Sequence, residues 1–224
     1  LPIYLEQAGT GSFSQRMAHH WCEVAHEADA RGRAEEAEQA LQRAREAAPQ
    51  AARPLVMQGQ RLARAGRHAE ALIVWEELMA RQPQAFALIA SDYARSAEAV
   101  GGDQPQQALG KLQRLYDQVP SVDILQALNT LQPHAQARRQ SLLSHIQAQP
   151  SLTAAQGLIR ERLNTHVALS EPEVELVHQA MITAAKPLQR YRCAACGFES
   201  QHYFWQCPGC QGWDTYPPRR LEEQ

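Results

Sequence analysis

The chain has 224 residues, and 22 Lys+Arg against 24 Asp+Glu leave a formal charge of −2, too small to draw it onto nucleic acid or an anionic bilayer. Hydrophobic residues make up 44%, enough for a globular core and too many for global disorder. The longest apolar runs, Ala71 to Trp75 and Ala85 to Ala90, fall far short of the ~20 residues a spanning helix needs. No secretory leader opens the chain, which begins at Leu1 and reads as a soluble excised fragment.

From the start to about residue 186 the chain is rich in Ala, Gln, Glu, Arg and Leu, with Gly and Pro as isolated punctuation, which predicts packed amphipathic helices. A shift of 34 residues superimposes Gly32 on Gly66, Glu36 on Glu70, Ala37 on Ala71 and Pro49 on Pro83, a period that marks stacked helix pairs. In the second copy, helix A is expected from about Pro54 to Ala65, a turn at Gly66, and helix B from about Ala69 to Arg81. Gly59 and Ala71 stand where the two helices must approach, with Leu55, Leu62, Trp75 and Leu78 filling the space around them. The first copy has Trp21, Ala25, Ala37, Leu41, Ala44 and Pro49 in similar places. This spacing resembles the tetratricopeptide repeat.

A third copy at a shift of 37 aligns Ala108, Leu109, Leu112, Leu115 and Pro120 with Ala71, Leu72, Trp75, Leu78 and Pro83, and the extra residues are expected in a longer turn around Gly101, Gly102 and Asp103. Further helices are expected over Val122 to Leu131, Ala135 to Ala148, Ala154 to Leu163 and Glu173 to Ala184, broken by Pro133, Pro150 and Pro172. Residues 1–186 therefore read as an all-α tetratricopeptide-repeat solenoid, whose helix A face suits an extended peptide or a folded protein. Carried onto the second copy, the repeat pattern turns Arg53, Val56, Gln60, Ala63 and Arg64 toward that face, with Arg53, Gln60 and Arg64 as the partner contacts.

Near residue 187 the composition changes: four of the five cysteines and seven of the 14 aromatics lie between Tyr191 and Tyr216. Cys193-Ala194-Ala195-Cys196 and Cys207-Pro208-Gly209-Cys210 are two C-x-x-C knuckles separated by ten residues. Each brings two thiolates to the tip of a tight turn, with Gly197 and Gly209 supplying the positive φ such turns need. Four thiolates fill a tetrahedral ion's coordination and leave no place for substrate, so the site is expected to be structural. Zn²⁺ is the expected ion; iron, as in rubredoxin, is the alternative. Residues 187–224 thus form a small four-Cys, rubredoxin-like zinc ribbon. Its aromatics exceed what so short a module hides, so Phe204, Trp205 and Trp213 are expected to dock it on the last helices.

Elsewhere the chemistry is sparse. Cys22 sits mid-helix as a small hydrophobe, and His19, His20 and His26 lack a supporting ligand. No phosphate loop, hydrolase elbow or zinc-protease helix occurs, so no enzymatic activity is expected. Arg190, Arg192, Arg219 and Arg220 flank the ribbon, but Glu199, Asp214, Glu222 and Glu223 offset them, and no nucleic-acid partner is expected.

Repeats followed by a terminal Tyr-Arg-Cys-x-x-Cys-Gly-Phe … Trp-x-Cys-Pro-x-Cys-x-x-Trp ribbon, with Met17-Ala18-His19-His20-Trp21-Cys22-Glu23-Val24-Ala25 ahead of the first Gly turn, resemble the lipopolysaccharide assembly protein B family of Gram-negative bacteria. That resemblance implies an adaptor that limits lipid A synthesis by linking the LpxC deacetylase to the FtsH protease. It also implies a cytoplasmic repeat domain held on the inner membrane by an N-terminal helix absent from this chain, and a rubredoxin-type site whose ligands are Cys193, Cys196, Cys207 and Cys210. Gln211 departs from rubredoxin's Gly after the last Cys.

Overall fold

The computed structural model describes residues 11–218 and 220–221. It forms two compact units, residues 1–133 and 134–224. The compositional change near residue 187 falls inside the second of these.

In the first unit, α1 (Gly11–Ala30) pairs with α2 (Ala34–Ala47), and α3 (Ala52–Arg64) with α4 (His68–Arg81). Both pairs turn in the same way: Gly32 and Gly66 adopt φ of 72° and 74°, where a side chain is strained. Arg33 N–H donates to Ala28 O at 2.8 Å, and Arg67 N–H to Leu62 O at 2.9 Å, so the last carbonyls of each first helix are satisfied. The repeat thus reproduces its turn chemistry as well as its length.

The third pair is α6 (Ala90–Val100) with α7 (Gln104–Gln118), followed by α8 (Val122–Leu131). Gly101 and Gly102 do carry positive φ, 73° and 57°. The turn at residues 101–103, however, is no longer than those at residues 31–33 and 65–67. The added length lies ahead of helix A, in residues 82–89, where the short α5 (Pro83–Phe86) and a 3₁₀ turn (Ala87–Ile89) replace the bare connection at residues 48–51. Phe86 and Ile89 from this insertion are buried, and Phe86 meets Tyr93 edge-on at 5.2 Å. This segment, invisible to the repeat period, rebuilds the junction with apolar side chains.

Leu55, Leu72, Trp75 and Leu78 continue through Phe86, Tyr93, Leu112 and Ile124 into one buried cluster, so successive pairs share a core. The first pair packs through small residues, Ala18, Cys22, Ala25, Ala37 and Ala44 among them. Ion pairs join equivalent helices of neighbouring repeats: Arg45 to Glu77 at 2.7 Å between second helices, and Arg53 to Glu23 at 2.6 Å and Arg61 to Asp29 at 3.3 Å between first helices. This is the nearest-neighbour stacking of a tetratricopeptide-type solenoid.

In the second unit, α9 (Ala135–Ala148), α10 (Leu152–Thr165) and α11 (Glu171–Leu188) pack mutually through Leu142, Ile146, Leu158 and Val177. Pro172 stands in the first turn of α11, where its missing N–H costs nothing, rather than breaking a helix. The ribbon follows α11, with β1 (Tyr191–Arg192) antiparallel to β2 (Glu199–Ser200).

Candidate metal centre

Two hairpins carry the cysteines. The first closes between β1 and β2, Cys193 N–H donating to Phe198 O at 3.0 Å; the second closes at the Gln206–Trp213 bridge, with Cys207 N–H donating to Gly212 O at 2.9 Å. Each knuckle is a tight turn: Gly197 N–H reaches Cys193 O at 2.9 Å and Gln211 N–H reaches Cys207 O at 2.8 Å. Gly197 has φ of 78°, as expected, but in the second knuckle the positive φ falls on Gln211, at 59°, and not on Gly209. Gly209 is small for another reason, since a Cβ there lies 3.2 Å from the Cβ of Phe198, which covers the knuckle.

The four sulfurs of Cys193, Cys196, Cys207 and Cys210 lie within 4.8 Å of one another. Across the hairpins, Cys193 Sγ is 3.8 Å from Cys210 Sγ, and Cys196 Sγ is 3.7 Å from Cys207 Sγ. A tetrahedral ion bound at about 2.3 Å places its sulfurs about 3.8 Å apart, so the cage has the size a Zn²⁺ or iron thiolate site requires. A disulfide needs about 2.05 Å, which these separations exclude.

The surroundings fit a cation held by thiolates. The contact with Thr215 Oγ1, 3.2 Å from its sulfur, and the N–H groups of Cys196 and Ala195 bring the Cys193 thiol down to about 6. Cys207, despite its desolvation, is held below the ordinary thiol range by the N–H groups of Cys210 and Gly209. Cys196 accepts the Phe198 N–H, yet desolvation and the crowding of the other sulfurs push it up to about 12. Four sulfurs at such range cannot all be anions unless a positive ion sits among them.

Around the cage, Tyr216 is 2% exposed and its hydroxyl donates to Phe198 O at 3.2 Å, while Tyr203 donates to Tyr216 O at 3.2 Å. Tyr191 and Phe204 pack edge-on against these two tyrosines at 5.6 and 6.1 Å. Phe204 therefore serves the ribbon's own core. Trp205 and Trp213 stand 68% and 67% exposed, so neither makes the docking contact expected of it. The chain after the ribbon returns to the end of α11: Leu221 N–H donates to Arg190 O at 2.8 Å, and the Arg220 side chain donates through Nη1 to Gln189 O at 2.9 Å. Arg219, Glu222 and Glu223 lie outside the described residues.

A second feature lies in the first unit, a cleft of about 910 Å³ bordered by α1, α3, α4 and α6. Arg53, Gln60 and Arg64 all line it, together with Val56, Met57 and Ala63 from the same face of α3. Cys22, on the packed face of α1, is fully buried, and burial pushes its thiol up to about 11, which keeps it in the protonated form. His68 Nδ1 lies 3.1 Å from Ser96 Oγ at the cleft, where Ser96 is 2% exposed.

Sequence reasoning missed a buried node in the second unit. Glu173, 2% exposed, receives Arg139 Nε at 2.7 Å and Arg162 Nη2 at 2.6 Å, and its carboxylate closes the capping box of α11 on Ser170 N–H at 2.8 Å. The Ser170-x-x-Glu173 spacing was a visible signal for the cap; nothing local pointed to the two arginines.

Residues 191–218 match the family described as the rubredoxin metal binding domain. The ribbon is similar to rubredoxin-type metal-binding domains. The chain as a whole is similar to lipopolysaccharide assembly protein B of Escherichia coli strain K12, 24% identical over 225 aligned residues covering 94% of this chain, and equally to that of strain O157:H7. It spans about half the length of these curated relatives, 55%. Among solved structures, MamA 41-end from Desulfovibrio magneticus RS-1 aligns with 76% of this chain and 96% of its own, at 15% identity and a TM-score of 0.47. Among the described residues, no helix is long and apolar enough to cross a membrane.

Proposed function

We propose that the chain is a non-enzymatic, protein-binding adaptor in lipopolysaccharide assembly, which links the LpxC deacetylase to the FtsH protease and so limits lipid A synthesis. The observation that carries this reading is the similarity to lipopolysaccharide assembly protein B along 94% of the chain. Two features support the adaptor part: a four-thiolate cage leaves no coordination position for a reacting group, and Arg53, Gln60 and Arg64 share one open cleft. The partners meet the chain at that cleft. The adaptor works at the cytoplasmic face of the inner membrane.

The test is capture of LpxC and FtsH by the tagged chain. Arg53→Glu with Arg64→Glu is expected to lose at least one partner while far-UV circular dichroism stays unchanged; undiminished capture of both removes the cleft assignment.

Zn²⁺ is proposed as the bound ion, in a purely structural role. The rubredoxin description of the matching family favours a second reading, in which the cage holds iron and passes electrons. Metal analysis with a visible spectrum decides: zinc thiolate is colourless and iron thiolate is coloured.

A further inference from the structure

Resting on the cleft reading above, we infer that the groove along α3 takes an extended peptide with aliphatic side chains and an acidic side chain, and that Arg64 is the cation that anchors the acidic one. The cleft's charges are unevenly spent. Arg53 is paired with Glu23 and Arg95 with Asp92, while Asp29 is taken by Arg61. Arg64 is exposed, and among the described residues its guanidinium meets no carboxylate; its Nε donates only to the Gln60 carbonyl, at 3.3 Å. The groove therefore keeps one uncompensated positive charge at the C-terminal end of α3, where the carbonyls of the last turn also favour a cation in place.

The rest of the stripe fixes the ligand's form. Arg53, Val56, Gln60 and Arg64 follow one another at helical spacing, so the lined face runs about 16 Å, the span of about five extended residues. Val56, Met57 and Ala63 give that face an apolar floor between the two arginines. Gln60 sits midway and offers an amide to a passing backbone, its Nε2 now reaching Asp92 Oδ2 at 3.5 Å. An extended chain that alternates aliphatic and acidic residues meets both floor and cation, and a basic one is repelled.

The probes are acetylated, amidated peptides of alternating leucine and glutamate, with glutamine and lysine counterparts, titrated by fluorescence anisotropy against the whole chain. The glutamate peptide is expected to bind best, about tenfold above the lysine peptide at low salt, with the gap closing as salt is raised. Arg64→Gln should weaken the glutamate peptide about fivefold and leave the glutamine peptide unchanged. Equal binding of all three peptides, binding of none, or indifference to Arg64→Gln overturns the inference. Ala63→Trp, which fills the floor, separates the two levels: if it removes binding of every peptide while the charge preference is missing, the cleft stands and only the acidic partner falls. If binding survives Ala63→Trp, the cleft reading falls as well. Circular dichroism of each variant confirms that the helices persist.

Discussion

Gly59 leaves room for a neighbour. A Cβ built there would lie 2.1 Å from Nε1 of Trp75, so the indole lies directly on the backbone of α3, and among the described residues that nitrogen meets no hydrogen-bond partner. Helix propensity alone says that Gly→Ala in a helix interior stabilises by about 1 kcal/mol. Overpacking says the reverse, by roughly 1–3 kcal/mol. Gly59→Ala is expected to lower the urea midpoint, and Trp75→Leu in the same chain to recover part of the loss; a raised midpoint for the single variant means the indole lies elsewhere. Glu173 gives a second residue-scale test, with a pH sign. Burial pushes its carboxyl up, but the hydrogen bonds from Arg162, Arg139 and Ser170 prevail and hold it well below the usual carboxylate range. A depressed carboxylate stabilises the fold above the unfolded value of about 4.3, and the contribution is lost as pH falls through the folded value. Glu173→Gln should therefore cost about 2–4 kcal/mol at pH 7, because it strands two arginines, and progressively less below pH 4 or so. Urea unfolding at pH 7 and pH 3 measures the difference, and a cost independent of pH sinks the assignment.

At the scale of elements, the ribbon and the helices differ in what holds them up. Each ribbon strand is two residues long, and the buried set around Tyr216 is a handful of side chains, too little apolar surface to fold unaided. Ion binding contributes on the order of 10–16 kcal/mol in comparable zinc peptides. Stripping the metal with a chelator is thus expected to remove the share of the near-UV signal due to Tyr191, Tyr203 and Tyr216 and the amide protection of residues 191–218, while α1 to α11 keep their far-UV signal. Ribbon amides that stay protected without metal contradict this. The same contrast explains what the sequence could and could not disclose. Repeat turns, the Ala and Gly contacts and the four ligands follow local spacing, so Gly32, Gly66, Gly59 and the C-x-x-C pairs could be read directly. The insertion at residues 82–89 could not, because its side chains are ordinary apolar residues whose use depends on the next pair. Nor could the exposure of Trp205 and Trp213, which turns on which tyrosines fill the ribbon first. The positive φ at Gln211 was hidden because the sequence offered a glycine two residues earlier; Gln211→Gly should raise resistance to chelation, by up to about 1 kcal/mol.

For the whole molecule, composition and contacts divide the chain differently. Composition changes near residue 187, where cysteines and aromatics begin, but the compact units part after Pro133. Glu173 explains why the last helices behave as a set, since its carboxylate joins α9 through Arg139, α10 through Arg162 and the start of α11 through Ser170. The Arg220 side chain and the Leu221 N–H then return to the carbonyls of Gln189 and Arg190, fastening the ribbon's end to the exit of α11. If contacts and not composition mark the folding unit, residues 134–224 expressed alone with metal should be helical, monodisperse and loaded with one ion per chain. In that piece, Glu173→Gln should loosen the helices and leave the ion in place, because the four sulfurs sit on hairpins that close through their own hydrogen bonds. Circular dichroism and metal stoichiometry read the two separately. A piece that binds its ion but stays unfolded over residues 135–188 would show that these helices take their order from outside the second unit, and the compositional boundary would then be the physical one.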